Sequence, residues 1–554
     1  MTTRRARTGG GRGGRAARLA VAGVVVLLLV ALVGAPRGRR WAAAALIGPD
    51  SVSELLRGRL AAGRAAAAGD LLVSLADVRR FYEARDYAAA WTRADAPPPA
   101  AAALMRRVAR APADGLVAAA YHSAALERLL SSVPVRAGAA TRADLELLLT
   151  DAFLTYGHDL LAGRVDPRTL HRGWTLAPRR RDLPALLREA LAANAVAPAL
   201  DSLAPSSAEY VRLRAALRRY RGIALAGGWA SLPAGRALRL GDTGDVVRAL
   251  RRRVDLELGV PGEPTDSFDA PLDAAVRSFQ LDHGLESDGV VGGETRRALN
   301  VPVEDRVAQL ERSMERLRWL PESLGARYVE VDIPAFELAV VEGDVPVLGM
   351  RVVGGRADWP TPIFSARMNA VVLAPYWNVP PSIAALEVLP RVRRDPGYLA
   401  RHHMVRLSGG RIRQEPGPWN ALGGVKFVFP NPYDVYLHDT PERQLFARPL
   451  RAFSHGCIRI EKPMELARYV LGADTVWTAE RIHAGIDAGV ERTVALAAEI
   501  PVHVLYRTAW VDGAGTVQFR DDLYGHDARL AAALAGRTPP ALLAEAGGCG
   551  PATP

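Results

Sequence analysis

Cys457 follows Gly456 directly, Ser454 and His455 stand just before them, and His438 lies nineteen residues upstream at the end of an apolar stretch. A thiol titrating near ~8.5 is a poor nucleophile until a neighbouring imidazole takes its proton. A Cys457/His438 pair brought together by folding would supply a thiolate able to attack a carbonyl carbon. Gly456 would let a substrate approach the backbone closely. Linear spacing leaves two readings open: a nucleophile, or the small buried hydrophobe that a lone cysteine usually is. The second cysteine, Cys549, lies in GGCGPATP, a terminal Gly/Pro segment expected to be disordered and without a catalytic role. Two cysteines exclude a disulfide framework or a four-cysteine metal site; at most one bridge is possible, and none is expected. His402, His403, His483, His503 and His526 lack i,i+4 or cysteine-partnered spacing, so neither a metal nor another cofactor is expected.

The segments that must position this pair read as strands. YVEVDIPAFELAVVEG alternates, Gly354-Gly355 marks a turn, and ARMNAVVLAPYWNVP alternates again, predicting a mainly β domain over 327–507. Residues 380–422 read as a helical, lid-like insertion beside the site. Upstream, residues 303–319 form a predicted helix whose Val307, Leu310, Met314, Leu317 and Leu320 share one face, placed within a linker over 301–326. Residues 238–300 read as short helices joined by Gly/Asp turns, and 50–235 as an all-helical region broken at Pro97-Pro98-Pro99 and Asp166-Pro167. His122, His158 and His171 there are expected to be surface or packing residues. Residues 508–554 form a C-terminal extension. At 554 residues the chain is long enough for several cores.

The net charge of +12 sits at the front: residues 1–40 hold nine arginines and no acid, leaving +3 on the remaining 514. A duplex-binding protein needs its basic stripe on a folded face, so nucleic acid is not an expected partner. Lysine is nearly absent, with only Lys426 and Lys462. The uncharged run at residues 19–35 follows six arginines and precedes three, which predicts a retained transmembrane signal anchor. Residues 1–18 would then be a cytoplasmic basic tail and the body would lie outside.

Two resemblances follow from these residues. Gly241-Asp242-Thr243-Gly244, Phe279-Gln280 with Gly284-Leu285, and Asp288-Gly289 through Gly292 to Thr295 resemble a type 1 peptidoglycan-binding domain. His438 with Ser454-His455-Gly456-Cys457-x-Arg459, together with PTPIFSARM, APYWNVPPSIA, RRDPGYL, PGPWNALGGVKFVFPN and YLHDTP, resembles the YkuD-type L,D-transpeptidases, in their large multi-domain branch. The expected class is therefore multi-domain α+β: an N-terminal membrane helix, an all-α scaffold, a small helical peptidoglycan-binding module and a mainly-β YkuD-type catalytic domain with a helical insertion.

The resemblance implies periplasmic acyl transfer on peptidoglycan. Cys457 would attack the third residue of a donor tetrapeptide, expel D-alanine and pass the acyl group to a second stem, forming a 3→3 cross-link. His438 would act as base and acid, and backbone N–H groups around Gly456 and Cys457 would stabilise the oxyanion. Ser454 would hold the imidazole or the turn, and His455 would orient the loop. Arg459 would orient the cysteine loop or receive a substrate carboxylate, against an equal alternative of a structural salt bridge. Tyr376, Trp377 and Asn378 fall where the family places a strand flanking the donor site, with Trp377 read as packing. Partners would be stem peptides, glycan and the cytoplasmic membrane. Trimming of stems by a carboxypeptidase or amidase, protein attachment to the wall, and a non-catalytic wall-binding scaffold are the competing readings.

Overall fold

The structure, a computed structural model, describes residues 50–92, 99–132, 138–259, 265–472 and 476–538. The anchor expected at residues 19–35 and the tail holding Cys549 lie outside them. Among the described residues no helix is long and apolar enough to cross a membrane. These residues divide into two compact units.

The first unit comprises residues 50–109, 118–157 and 182–201. It is helical, with Asp50–Ala61, Leu75–Glu83, Pro99–Val108, Ser123–Ser132, Leu183–Ala192 and Val196–Asp201, and the long helix Ala139–Ala162 begins in it. Leu145, Leu147, Leu148, Leu149, Ala152, Phe153 and Tyr156 of that helix are all buried, because an apolar sequence on every side suits a helix enclosed by neighbours. Its Glu146 is buried as well. The carboxylate accepts from the backbone N–H groups of Ala90, Trp91 and Thr92 and from the hydroxyls of Tyr82 and Thr92, the partners a buried charge requires. His122 bridges Asp70 and Asp151 at 3.0 and 2.7 Å.

The second unit comprises residues 110–117, 158–181 and 202–538. Helices Asp245–Leu258, Ala270–Asp282 and Gly293–Leu299 pack around Val247, Leu250, Val276, Phe279 and Val291. The buried amide of Gln280 donates to Asp288 Oδ1, Val290 O and Thr295 Oγ1 and accepts from Gly289 N. The Phe-Gln, Asp-Gly and Thr landmarks of this module are thus one hydrogen-bonded knot, and Gly289, at φ +73°, leaves no room for a Cβ beside Asp273 and Arg277. Helix Val303–Arg318 is buried well beyond its apolar stripe: Gln309, Ser313, Glu315, Arg316 and Arg318 are enclosed too.

Nine strands build the main sheet: β1 Arg327–Asp332, β2 Glu337–Glu342, β3 Val345–Gly355, β4 Phe364–Leu373, β5 Val425–Val428, β6 Leu437–His438, β7 Ala452–Ser454, β8 Ile458–Ile460 and β9 Arg492–Leu505. Their order is β7-β3-β8-β6-β5-β4-β9-β1-β2, and pairing of β2 with β3 closes the sheet on itself. Alternation sends Val329, Val331, Val371, Phe427, Leu437, Ile458 and Ile460 into one core. The turn between β2 and β3 falls at Gly343-Asp344, both at positive φ, the pairing that suits right-twisted strands. Gly354-Gly355, expected as a turn, instead ends β3, because a Cβ on Gly355 would strike the backbone of Trp359.

The insertion is helical from Pro381–Ile383 through Tyr398–Arg401. It also carries strands Met404–Arg406 and Ile412–Gln414, which with Trp377–Asn378 make a three-stranded sheet that its polar sequence did not announce. Val379, Ile383, Val388, Met404 and Ile412 give it a small core of its own. Beyond β9, the hairpin Ala509–Val511/Val517–Phe519 packs with helix Val303–Arg318, and helix His526–Leu534 follows.

Candidate active site

Strand register brings the chemistry-bearing residues to one face. β6 runs parallel to β8, with Leu437 opposite Ile458 and His438 opposite Arg459; on its other side β6 is antiparallel to β5, with Lys426 opposite His438. Leu437, Ile458 and Phe427 fill the core, so His438, Arg459 and Lys426 turn to the opposite face, and alternation carries Tyr436 and Cys457 with them. Cys457 precedes by two residues the Arg459 that pairs with His438, so the two stand diagonally across adjacent parallel strands.

His438 is buried and its Nδ1–H donates to the carbonyl of Asp439 at 2.6 Å. A carbonyl only accepts, so in the neutral ring the lone pair belongs to Nε2. Burial, then the positive charges of Arg459 and Lys426, push the imidazole pKa down to about 3. The ring is therefore a neutral acceptor at physiological pH.

The turn before β8 is built around Ser454. Its hydroxyl donates to Cys457 O at 2.5 Å and accepts from Gly456 N at 3.2 Å. The Gly456 N–H, a sequence candidate for the oxyanion hole, is directed into this turn. Gly456 takes φ +107°, which only glycine adopts freely. A second shell of contacts was not foreseen: Thr361 Oγ1 donates to Gly456 O and accepts from Gly355 N, each at 2.9 Å, and Tyr524 OH donates to Gly355 O at 2.6 Å. Thr361 lies within the PTPIF segment, but Tyr524 sits in the C-terminal extension with no local signal in the sequence.

The other candidates divide. His455 Nε2 lies 2.6 Å from Glu387 of the insertion and its ring meets Trp359 edge-on at 5.0 Å. Arg459 forms an ion pair with Glu442, the structural reading of that residue. Tyr376 donates its backbone N–H to Glu491 and lies under the Arg413 guanidinium at 4.0 Å. Trp377 packs against the insertion's core, and Asn378 is exposed opposite Arg413.

A cleft of about 420 Å³ opens over this face, lined among others by Tyr376, Asn378, Arg411, Lys426, Asp434 and Tyr436. Cys457 is buried, its sulfur 3.8 Å from the carbonyl oxygen of Asp434, a residue of the cleft lining. Contrary to the expectation of no bridge, Cys457 is disulfide-bonded. The sequence spacing of two cysteines says nothing of their spatial distance, which decides pairing. The one other cysteine of the sequence, Cys549, lies outside the described residues.

Residues 326–479 match the L,D-transpeptidase catalytic domain family, 243–299 a putative peptidoglycan binding domain and 76–217 a scaffold domain. The chain is 30% identical over 248 residues to a putative L,D-transpeptidase of Haemophilus influenzae, covering 41% of this chain and 50% of that one. It thus spans about half the length of this curated relative. Among solved structures, an L,D-transpeptidase of Xylanimonas cellulosilytica is 17% identical, covering 49% of this chain and 99% of that one at a TM-score of 0.18. One of Stackebrandtia nassauensis is 14% identical, covering 50% and 96% at a TM-score of 0.21. The chain carries a YkuD-type L,D-transpeptidase catalytic domain, preceded by a peptidoglycan-binding domain.

Proposed function

We propose that the chain forms 3→3 cross-links in peptidoglycan by two acyl transfers through Cys457. The observation that carries this reading is the neutral His438, its Nδ1 tied to Asp439 O, on the same sheet face as Cys457 beside an open cleft. With the sulfur reduced, His438 Nε2 takes the thiol proton. The thiolate attacks the carbonyl carbon of the third residue of a donor tetrapeptide. When the tetrahedral intermediate collapses, the C–N bond to D-alanine breaks, His438 returns the proton to the leaving amine, and a thioester remains. The side-chain amine of another stem's third residue then attacks the thioester, loses a proton to His438 and releases the sulfur.

Ser454 and Gly456 shape the turn that presents the sulfur, and His455 joins that turn to the insertion. Location in the periplasm, held at the cytoplasmic membrane by residues 19–35 with the N-terminus inside, is part of the same reading; it rests on the arginine asymmetry around that run. The test uses purified, reduced protein and synthetic tetrapeptide donors. D-alanine release with dimer formation is expected from the parent and neither from Cys457→Ser. Tripeptide accumulating without dimers would favour trimming, and equal products from both proteins would refute the assignment.

A further inference from the structure

Lys426 is one of only two lysines among 71 basic residues, and the other, Lys462, donates to Gly349 O. Where nearly every cation is arginine, a lysine within the cleft marks a position served by a compact ammonium with three donors rather than a planar fork. Register sets Lys426 directly opposite His438, and its Nζ sits 3.8 Å over the ring of Tyr436. Among the described residues no ion pair or hydrogen bond engages that ammonium; Asp434 and Glu491 act on it only from further away. Half-buried, it titrates below the usual lysine range because burial disfavours the charge. A half-buried cation lacking a close anion, on the wall of a cleft whose lining residue Asp434 touches the reacting sulfur, is an anion site awaiting its ligand.

We propose that Lys426, seated on Tyr436, binds a carboxylate of the donor stem peptide and so sets which carbonyl meets Cys457. This rests on the transpeptidase reading and adds a specificity group to it. A stem tetrapeptide offers carboxylates at its second residue, its third residue and its C-terminus. The chemistry of recognition is the same for each, and only the position differs.

The experiment measures release of the fourth residue, as D-alanine or, from the peptide amidated at its C-terminus, as D-alaninamide, from four tetrapeptides, one fully ionised and three each carrying a carboxamide at one of those positions. The reduced parent, Lys426→Met and Lys426→Arg are compared. In the parent, one amide is expected to raise KM by roughly 10- to 100-fold, the loss typical of a charge-assisted hydrogen bond. Lys426→Met should show that raised KM already on the ionised peptide, with no further rise on the same amide, and Lys426→Arg should recover it in part. A parent indifferent to all three amides, or a Lys426→Met enzyme that still discriminates, overturns the proposal. A fall in kcat with KM unchanged also overturns it, since it would mark Lys426 as a positioning residue for His438. No D-alanine release from any peptide by the parent would remove the transpeptidase reading itself, which separates the two failures.

Discussion

Glu387 Oε1 meets His455 Nε2 at 2.6 Å, so the insertion grips the turn two residues before Cys457. Arg356, paired with Asp358 at 2.9 Å, stands 3.8 Å from the same Glu387, and Trp359 borders the imidazole. Because the insertion has its own core, it behaves as a body fastened at this point to the catalytic sheet. His455 is therefore the residue through which the turn meets the insertion.

Removing that fastening should loosen the insertion without touching the chemistry. Glu387→Ala is expected to raise amide hydrogen exchange across residues 381–401 and to raise KM for a tetrapeptide about 5- to 10-fold, the effect of one lost hydrogen bond of ~1 kcal/mol, with kcat nearly constant. Exchange and KM matching the parent would show that the insertion is held elsewhere.

Ser454 satisfies both Gly456 N and Cys457 O, so Ser454→Ala strands two buried polar groups beside the nucleophile. We expect a loss of about 1–3 kcal/mol in stability and a kcat reduced at least tenfold, with Ser454→Thr recovering part of both. Thermal unfolding and D-alanine release measured side by side check this; an alanine variant with parental kcat would remove the turn from the mechanism.

The proposed nucleophile and base, Cys457 and His438, and the bordering strands rest on local signals in the sequence: a glycine beside a cysteine, and a histidine ending an apolar alternation. The order β7-β3-β8-β6 is not legible, since Ala452–Ser454 and Ile458–Ile460 flank β3 from opposite sides and pair with residues far away in the sequence. The same holds for Thr361, whose bond to Gly456 spans distant sequence, and for Tyr524, whose bond to Gly355 exists only after the extension has folded back. Arg459 illustrates the limit in another way: its two readings differ solely in where Glu442 lies, a tertiary fact.

The depressed titration of His438 has a stability consequence of definite sign. Its folded pKa of about 3 lies below the ordinary histidine value of 6.5, so between those pH values the unfolded chain binds a proton that the folded chain refuses. Stability from this group is present above 6.5 and is lost as pH falls, by up to ~1.4 kcal/mol per pH unit. Replacing the ring removes the dependence, so the gap in thermal midpoint between the parent and His438→Gln should shift in the variant's favour from pH 7 to pH 5. A gap independent of pH would mean that the imidazole is not held neutral.

Disulfide bonding of Cys457 makes the thiolate conditional on reduction. A dithiol reductant must deliver two electrons and two protons, leaving two thiols on the protein and a disulfide on itself. Carbapenem-type β-lactams offer a direct readout, because opening of the strained lactam by the freed thiolate adds the whole drug mass to the chain. Untreated protein is expected to show no adduct by intact mass, and protein treated with dithiothreitol one adduct per chain. If the untreated parent is acylated as fast as the reduced parent, the bridge does not control the nucleophile in solution.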